Sequence, residues 1–329
     1  MQCPQCQVEM KKFGKNRNGS QRYRCNTCNL TVTDESTRPH DNRCLPVDTL
    51  VQCLRMLLEG NSIRSTERLT GVEKKTIIRA VVSIGQACER WMEKILKNLQ
   101  VNDVQADEIW GFVGCKEKTK KRNNYGDGVG DAWCFLATER ETKMVIAYHI
   151  GRRNGFNAGQ FSEKLARATS GRFQLSTDGY TPYRMTIRAE LGHRVDYGMM
   201  VKVYGSAQSE GENRYSPVEV IDAYKLVLIG NPDEARICTS HAERNNLSIR
   251  MGMRRMTRLT NAHSKKLANH EAAFALWFAY YNFCRVHETL TDNTRTGGQP
   301  RRKTTPAMAA GLTDHVWSVA ELLQHINAD

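Results

Sequence analysis

Apolar and polar positions along the chain change period near residue 100. Before it, Leu50, Leu54, Leu57 and Leu58 recur at helical spacing and predict an amphipathic helix. Gly60-Asn61 ends it. Ser62 can cap a second helix carrying Ile63 and Leu69, and Thr70-Gly71 makes a turn. A third helix starts at Glu73 and runs through Trp91 toward Leu99. Short helix, glycine-containing turn, then a lysine-led helix is a helix-turn-helix pattern, expected over residues 47–100. The start of the second paired helix normally enters the major groove. Lys74, Lys75 and Arg79 are therefore expected to face DNA, and Val72, Ile77 and Val81 to pack. A plain three-helix interaction module is the competing reading.

After residue 100 the pattern alternates. Residues 101–113, 132–138 and 143–150 predict three strands, with 116–122 a basic loop. Residues 157–168 read as a helix with Phe161, Leu165 and Ala168 on one side. A strand at 172–177, a helix at 182–191 and a strand at 194–204 follow. Three strands, helix, strand, helix, strand is the order of a ribonuclease-H-like core. The expected fold is thus α/β, a mixed sheet with flanking helices over residues 101–290. Residues 205–235 break the pattern and read as an insertion, with one or two strands at 218–229. A basic helix then carries Glu243, Arg250, Arg254, Arg255 and Arg258. Phe274, Trp277, Phe278, Tyr281 and Phe283 fall at helical spacing in 271–285, as core rather than as a base-stacking platform. Residues 291–329 form a tail: a polar basic loop, then small elements near 305–312 and 316–326 that pack back on the core.

Three carboxylates stand out against this background. Asp107 lies in Ala-Asp-Glu-Ile-Trp and Asp178 in Leu-Ser-Thr-Asp-Gly-Tyr, each ending an apolar stretch; Glu243 lies in His-Ala-Glu-Arg-Asn-Asn. Aspartate before glycine is commonly a turn residue, and Asp107 alone reads equally as a cap on whatever follows its strand. Jointly, two strand-end aspartates and a helix-borne glutamate can converge on a pair of divalent metals, which clamp the oxygens of an in-line phosphoryl displacement. Oxygen ligands suit magnesium or manganese. Arg250 follows Glu243 by seven residues, on the same helix face, where it would hold a phosphate near the metals.

The chain holds eleven cysteines. Cys3-Pro-Gln-Cys6 and Cys25-Asn-Thr-Cys28 are two C-x-x-C pairs, a zinc signal. Four thiolates close a tetrahedral site, so residues 1–37 are expected to be a zinc ribbon folded by its metal. A redox dithiol would leave the second pair unexplained. Residues 38–46, with Pro39 and Pro46, read as a linker. Cys53, Cys88, Cys134 and Cys238 sit among apolar neighbours as small hydrophobes. Cys44, Cys115 and Cys284 carry no signal.

Charge adds a partner. The 329 residues carry a net +13, and residues 250–303 hold eleven Lys/Arg against three Asp/Glu. Such a concentration favours a polyanion through counterion release. No apolar run is long enough for a membrane span, and the polar start is unlike a signal peptide. An intracellular, cytoplasmic and nucleoid-associated protein is expected.

The order of zinc ribbon, helix-turn-helix, Asp107-Glu-Ile-Trp, Thr177-Asp178-Gly-Tyr, and Glu243 with Arg250 resembles the DDE transposases of bacterial insertion sequences, of the insertion-sequence-one type. The tail Tyr281-Asn-Phe-Cys-Arg-Val-His287 with Thr305-Pro-Ala-Met-Ala-Ala-Gly-Leu312 is similar to the end of such proteins. The resemblance covers nearly the whole chain. It implies a magnesium-dependent enzyme that binds terminal inverted repeats and transfers strands into target DNA as at least a dimer. Asp107, Asp178 and Glu243 would be its metal triad, and Arg250 its basic residue; Arg254 is a further expected DNA contact. Asp178 and Glu243 are 65 residues apart, more than in compact members, which the insertion accounts for; Glu234 is the weaker alternative to Glu243. A non-catalytic DNA-binding regulator and a nuclease without joining activity are the alternatives.

Overall fold

The computed structural model describes residues 1–17, 20–34, 45–205, 220–258, 260–291 and 303–327. Most of the expected linker, the heart of the expected insertion (206–219), the polar loop (292–302), Gly19 and Cys44 lie outside the described residues.

The N-terminal unit is a three-stranded antiparallel sheet of β1 (Lys11–Lys15), β2 (Gln21–Arg24) and β3 (Thr31–Thr33). Its small core is Met10 with the four cysteines Cys3, Cys6, Cys25 and Cys28, flanked by Tyr23, Leu30 and Val32. So little apolar surface cannot stabilise a domain by itself.

Three helices follow: α1 (Val47–Leu58), α2 (Ile63–Thr70) and α3 (Lys74–Ile95). Ser62 caps α2 by accepting from the Ser65 N–H at 3.0 Å, and Gly71 ends it in the left-handed region at φ +71°. Val72, Ile77 and Val81 are buried, as their pattern predicts. α3 stops at Ile95, short of the expected Leu99.

Short β4 (Leu99–Gln100) pairs with β8 (Thr169–Ser170). The main sheet contains β5 (Asp103–Val113), β6 (Gly130–Glu139), β7 (Val145–Gly151), β9 (Phe173–Asp178), β10 (Val195–Tyr204) and β11 (Val220–Ile229). Its order is β11-β10-β9-β5-β6-β7. β5, β6 and β7 form an antiparallel meander; β9 lies parallel to β5 and β10 parallel to β9; β11 returns antiparallel as one strand. The expected basic loop at 116–122 is instead a short helix, α4 (Glu117–Asn123). Glu117 in its first turn and Lys120, Lys121 and Arg122 in its last complement the helix dipole. α5 (Gly155–Ala168) and α6 (Tyr183–Leu191) cover one sheet face through Phe161, Leu165, Tyr183 and Ile187.

The other face is covered by α7 (Ser240–Gly252) and α8 (Leu267–Phe283), with α3 and the terminal α9 (Pro306–Ala309) and α10 (Val319–Asn327) packed outside them. One continuous core therefore runs through the boundary expected at residue 100. At Gly85 of α3, a Cβ would lie 2.0 Å from the Ala272 carbonyl oxygen of α8, so only glycine allows this approach. Trp91, Phe283 and Trp317 form an aromatic cluster with centroids 4.6–5.6 Å apart, tying α3, α8 and the C-terminal segment together. The aromatics of α8 are core, as expected. Cys53, Cys88 and Cys134 are buried; Cys238 is half-buried and accepts from Gln105 Nε2. Among the described residues no helix is long and apolar enough to cross a membrane.

Candidate metal centres

The acidic centre lies where β9 ends beside β5. β9 pairs with β5 only as far as Ala106↔Thr177, so Asp107 is the first β5 residue without a β9 partner. Asp107 lies within β5, inside the 101–113 range that the alternation predicts, although its apolar run stops before it; antiparallel β6 pairs β5 through Val113. Asp178 ends β9 as expected. Oxygens of Asp107, Glu108 and Asp178 all lie within 4.8 Å of one another. Neighbouring strand residues usually face opposite sides; here Arg153 braces the group. It donates from Nε to Glu108 Oε2 at 3.0 Å, and its Nη2 lies 3.5 Å from Asp178 Oδ2. The guanidinium is held over the rings of Tyr180 and Trp133, 4.2 and 5.1 Å from their centroids. Asp178 Oδ1 accepts from the Tyr180 N–H at 3.1 Å, so the Asp-Gly turn is also real.

Burial, followed by the Asp178 charge, pushes both Asp107 and Glu108 up to about 7. Asp178 is raised as well, chiefly by burial. The Tyr183 hydroxyl lies against the Glu108 carboxyl, close enough to lower its pKa though not in ideal hydrogen-bond geometry, and the Tyr180 hydroxyl is buried without a partner among the described residues. Crowded carboxylates that resist ionisation fit a divalent cation.

Glu243 sits in the first turn of α7, apart from this three-carboxylate group, although its charge is felt at Asp107. Buried Gln105 of β5 fixes the helix start: its Oε1 accepts from the N–H groups of His241 at 2.8 Å and Ala242 at 3.3 Å. Asn245 donates to Thr138 of β6 at 3.1 Å. One turn past Glu243, Asn246 donates from Nδ2 to Asp107 Oδ2 at 2.8 Å, joining α7 to the acidic group. Glu243 Oε1 is bonded by Lys202 of β10 and by Thr239, while its Oε2 carries no hydrogen bond among the described residues. Burial pushes Glu243 upward, but Lys202 and Thr239 outweigh it and hold the carboxyl below its usual range. Glu234, the alternative, is exposed in a short 3-10 turn outside the acidic group.

Arg250 is not placed as a free phosphate fork. Its Nη1 donates to the Met256 carbonyl at 3.0 Å and its Nη2 to the Trp110 carbonyl at 3.2 Å. A half-buried guanidinium must satisfy its donors, so Arg250 clamps the end of α7 to β5. Lys74, Lys75, Arg79 and Arg254 are exposed. The sequence reading missed Glu108, Arg153, Lys202 and Asn246. Glu108 and Asn246 stood inside motifs already singled out, and Asn246 falls at helical spacing from Glu243. Nothing local marks Arg153 or Lys202, because the fold alone brings them to the carboxylates.

At the other end of the chain, the Sγ atoms of Cys3, Cys6, Cys25 and Cys28 lie within 4.8 Å of one another, with Cys3 and Cys28 3.6 Å apart. A tetrahedron with Zn–S of about 2.3 Å has edges of about 3.8 Å, so the cluster is the right size for zinc. Backbone N–H groups, Cys28 first, draw the Cys25 thiol down to about 6. The Cys28 thiol heads the causes that push Cys6 up to about 12. Four sulfurs this close cannot all ionise without a cation between them. The chain matches no protein-family profile and no curated protein.

Proposed function

We propose that this chain is a DNA transposase of the DDE kind, with a ribonuclease-H-like core, a zinc ribbon and a helix-turn-helix. The convergence of Asp107 and Asp178 at the open end of β9 carries the reading. The sheet order supports it: an antiparallel meander, with two further strands added parallel to its first. Asp107 and Asp178 would hold magnesium or manganese, with Glu243 Oε2 or Glu108 Oε1 as further oxygen donors. The bound metals would lower the pKa of the attacking hydroxyl and neutralise charge gathering at phosphorus. Asn246 orients Asp107, and Arg153 braces Glu108 and Asp178. Lys202 keeps Glu243 ionised. The attacking group is water for end cleavage and the freed 3′-hydroxyl for joining, with no covalent enzyme intermediate.

The deciding experiment incubates full-length protein and magnesium with DNA carrying the ends of its own element, and resolves joined from nicked products. Wild type should give joined products; Asp178→Asn should give neither product while still binding DNA. Nicks without joining would favour the nuclease reading. Wild-type inactivity with intact DNA binding would favour the regulator. Joining by Asp178→Asn would overturn the site.

A further inference from the structure

A cleft of about 1000 Å³ separates the first three helices from the segment that follows α7. None of the candidate metal ligands lines it. Its floor is set where the α1–α2 turn meets the end of α7: a Cβ on Gly60 would lie 2.7 Å from the Met251 carbonyl oxygen. One wall carries Arg64 and Lys74, the other Arg254, Arg255, His263 and Lys265; no aspartate or glutamate lines it. Between these walls the lining is mostly apolar, including Ile63, Ile78, Val81 and Leu276, with Asn61, Ser62 and Thr260 among the neutral polar groups.

Arg255 is the most constrained of these cations. It is half-buried and donates to Ser264 Oγ at 3.0 Å and to the Asn269 carbonyl at 2.6 Å, with no carboxylate partner among the described residues. A half-buried guanidinium with two neutral partners and no counter-charge is partly desolvated at a cost, and an anion entering the cleft would offset that cost. Two lining side chains also keep unpartnered buried polar atoms, Trp277 Nε1 and His263 Nδ1. Cations on both walls suit several phosphates. The apolar part of the lining suits the flat faces of bases.

We propose that this cleft binds a few unpaired nucleotides of single-stranded DNA, phosphates on the cationic walls and bases toward the apolar floor. That DNA is the partner rests on the transposase reading above. Size selects the single strand. About 1000 Å³ is the upper end for pockets that enclose one drug-sized ligand, whereas the major groove of a duplex is itself about 12 Å wide. Lys74 thus faces a shared cleft at the start of α3 rather than standing clear of the body.

The test is fluorescence anisotropy of full-length protein with labelled oligothymidine of about ten nucleotides, in magnesium-free buffer so that chemistry is silent. Wild type should bind it more tightly than a duplex of the same length. Arg254→Gln with Lys265→Gln should weaken binding about tenfold or more and reduce the salt slope by about 1.4, at about 0.7 per phosphate for single strands. Lys118→Gln with Lys121→Gln, the same charge change on exposed α4, should change affinity far less. Ala262→Trp should fill the space, weakening binding with the slope kept. If it fails to fold, the charge pair alone decides. Equal binding of duplex, displacement by inorganic pyrophosphate at matched phosphate concentration, or unchanged affinity in the Arg254/Lys265 variant would overturn the proposal. A protein that binds oligothymidine this way yet neither cuts nor joins end DNA would sink the transposase reading and leave the cleft standing.

Discussion

Replacing Asp107 by asparagine should stabilise the protein in magnesium-free buffer at pH 8. Asparagine has nearly the same shape, and its carbonyl oxygen can still accept from Asn246 Nδ2. What it removes is a charge that burial and Asp178 oppose. Burial, then the Asp178 charge, pushes the carboxyl up to about 7 from its ordinary value of 3.8. The folded state therefore holds a proton that the unfolded chain releases, and wild-type stability falls as pH rises from about 4 to about 7. About three pH units at 1.36 kcal/mol each give a ceiling near 4 kcal/mol. Asp107 keeps a strip of exposed surface, so a gain of about 1–3 kcal/mol is the working figure for the variant at pH 8. Near pH 4 the two proteins should converge, since protonated aspartate and asparagine are both neutral. Urea denaturation at pH 5 and pH 8 measures this directly, without chelators, so that the cysteine cluster keeps its metal. Magnesium should then reverse the ranking. Ligand at a hundred times its Kd adds about 2.7 kcal/mol to the wild type, and the variant should lose most of that increment. A variant no more stable than wild type at pH 8 without magnesium would refute the reasoning.

Three further outcomes follow from the geometry. A zinc-specific chelator should unfold the 1–34 unit, seen as loss of its amide dispersion by NMR, while the main sheet stays folded; wild-type spectra after complete metal removal would refute the zinc assignment. Lys202→Gln should lower the magnesium midpoint on the order of tenfold, since a cation beside Glu243 opposes a second cation; an unchanged midpoint by calorimetry would dissociate Glu243 from the metal. Arg250→Ala should cost about 1–3 kcal/mol in stability by leaving two carbonyls unpaired, with the magnesium midpoint kept; a shifted midpoint at wild-type stability would restore the phosphate-fork role.

Periodicity carried most of the architecture. Alternation located β5, β6, β7, β9 and β10, and helical spacing located α1, α5 and α8, because each buries one face against a neighbour. Asp107, Asp178 and Glu243 were legible because each interrupts an apolar or basic pattern with a carboxylate. Position along a strand was less so. Asp107 ends an apolar run yet lies mid-strand, because the alternation continues to Val113, where β6 still pairs β5. The basic run at 116–122 lacks an apolar face, so α4 left no periodic signal. Arg250 illustrates a different gap: helical spacing set its face correctly, but the carbonyls of Trp110 and Met256 that absorb its donors come from other segments. Nor could local pattern reveal the union of α3 with α8, since the close approach at Gly85 and Ala272 joins residues nearly two hundred positions apart.

That union has a mechanical consequence. Gly85 leaves no slack between α3 and α8, and the Trp91–Phe283–Trp317 cluster blocks rotation of one about the other. The start of α3 and the carboxylates on β5 are therefore fixed points on a single stiff frame. In the proposed reaction, DNA gripped at one point is cut at a set distance from it. For a transposase, such a frame would act as a gauge between grip and cut. Lengthening the α2–α3 turn should loosen the grip, whereas only a change in the α3–α8 seam should move the cut.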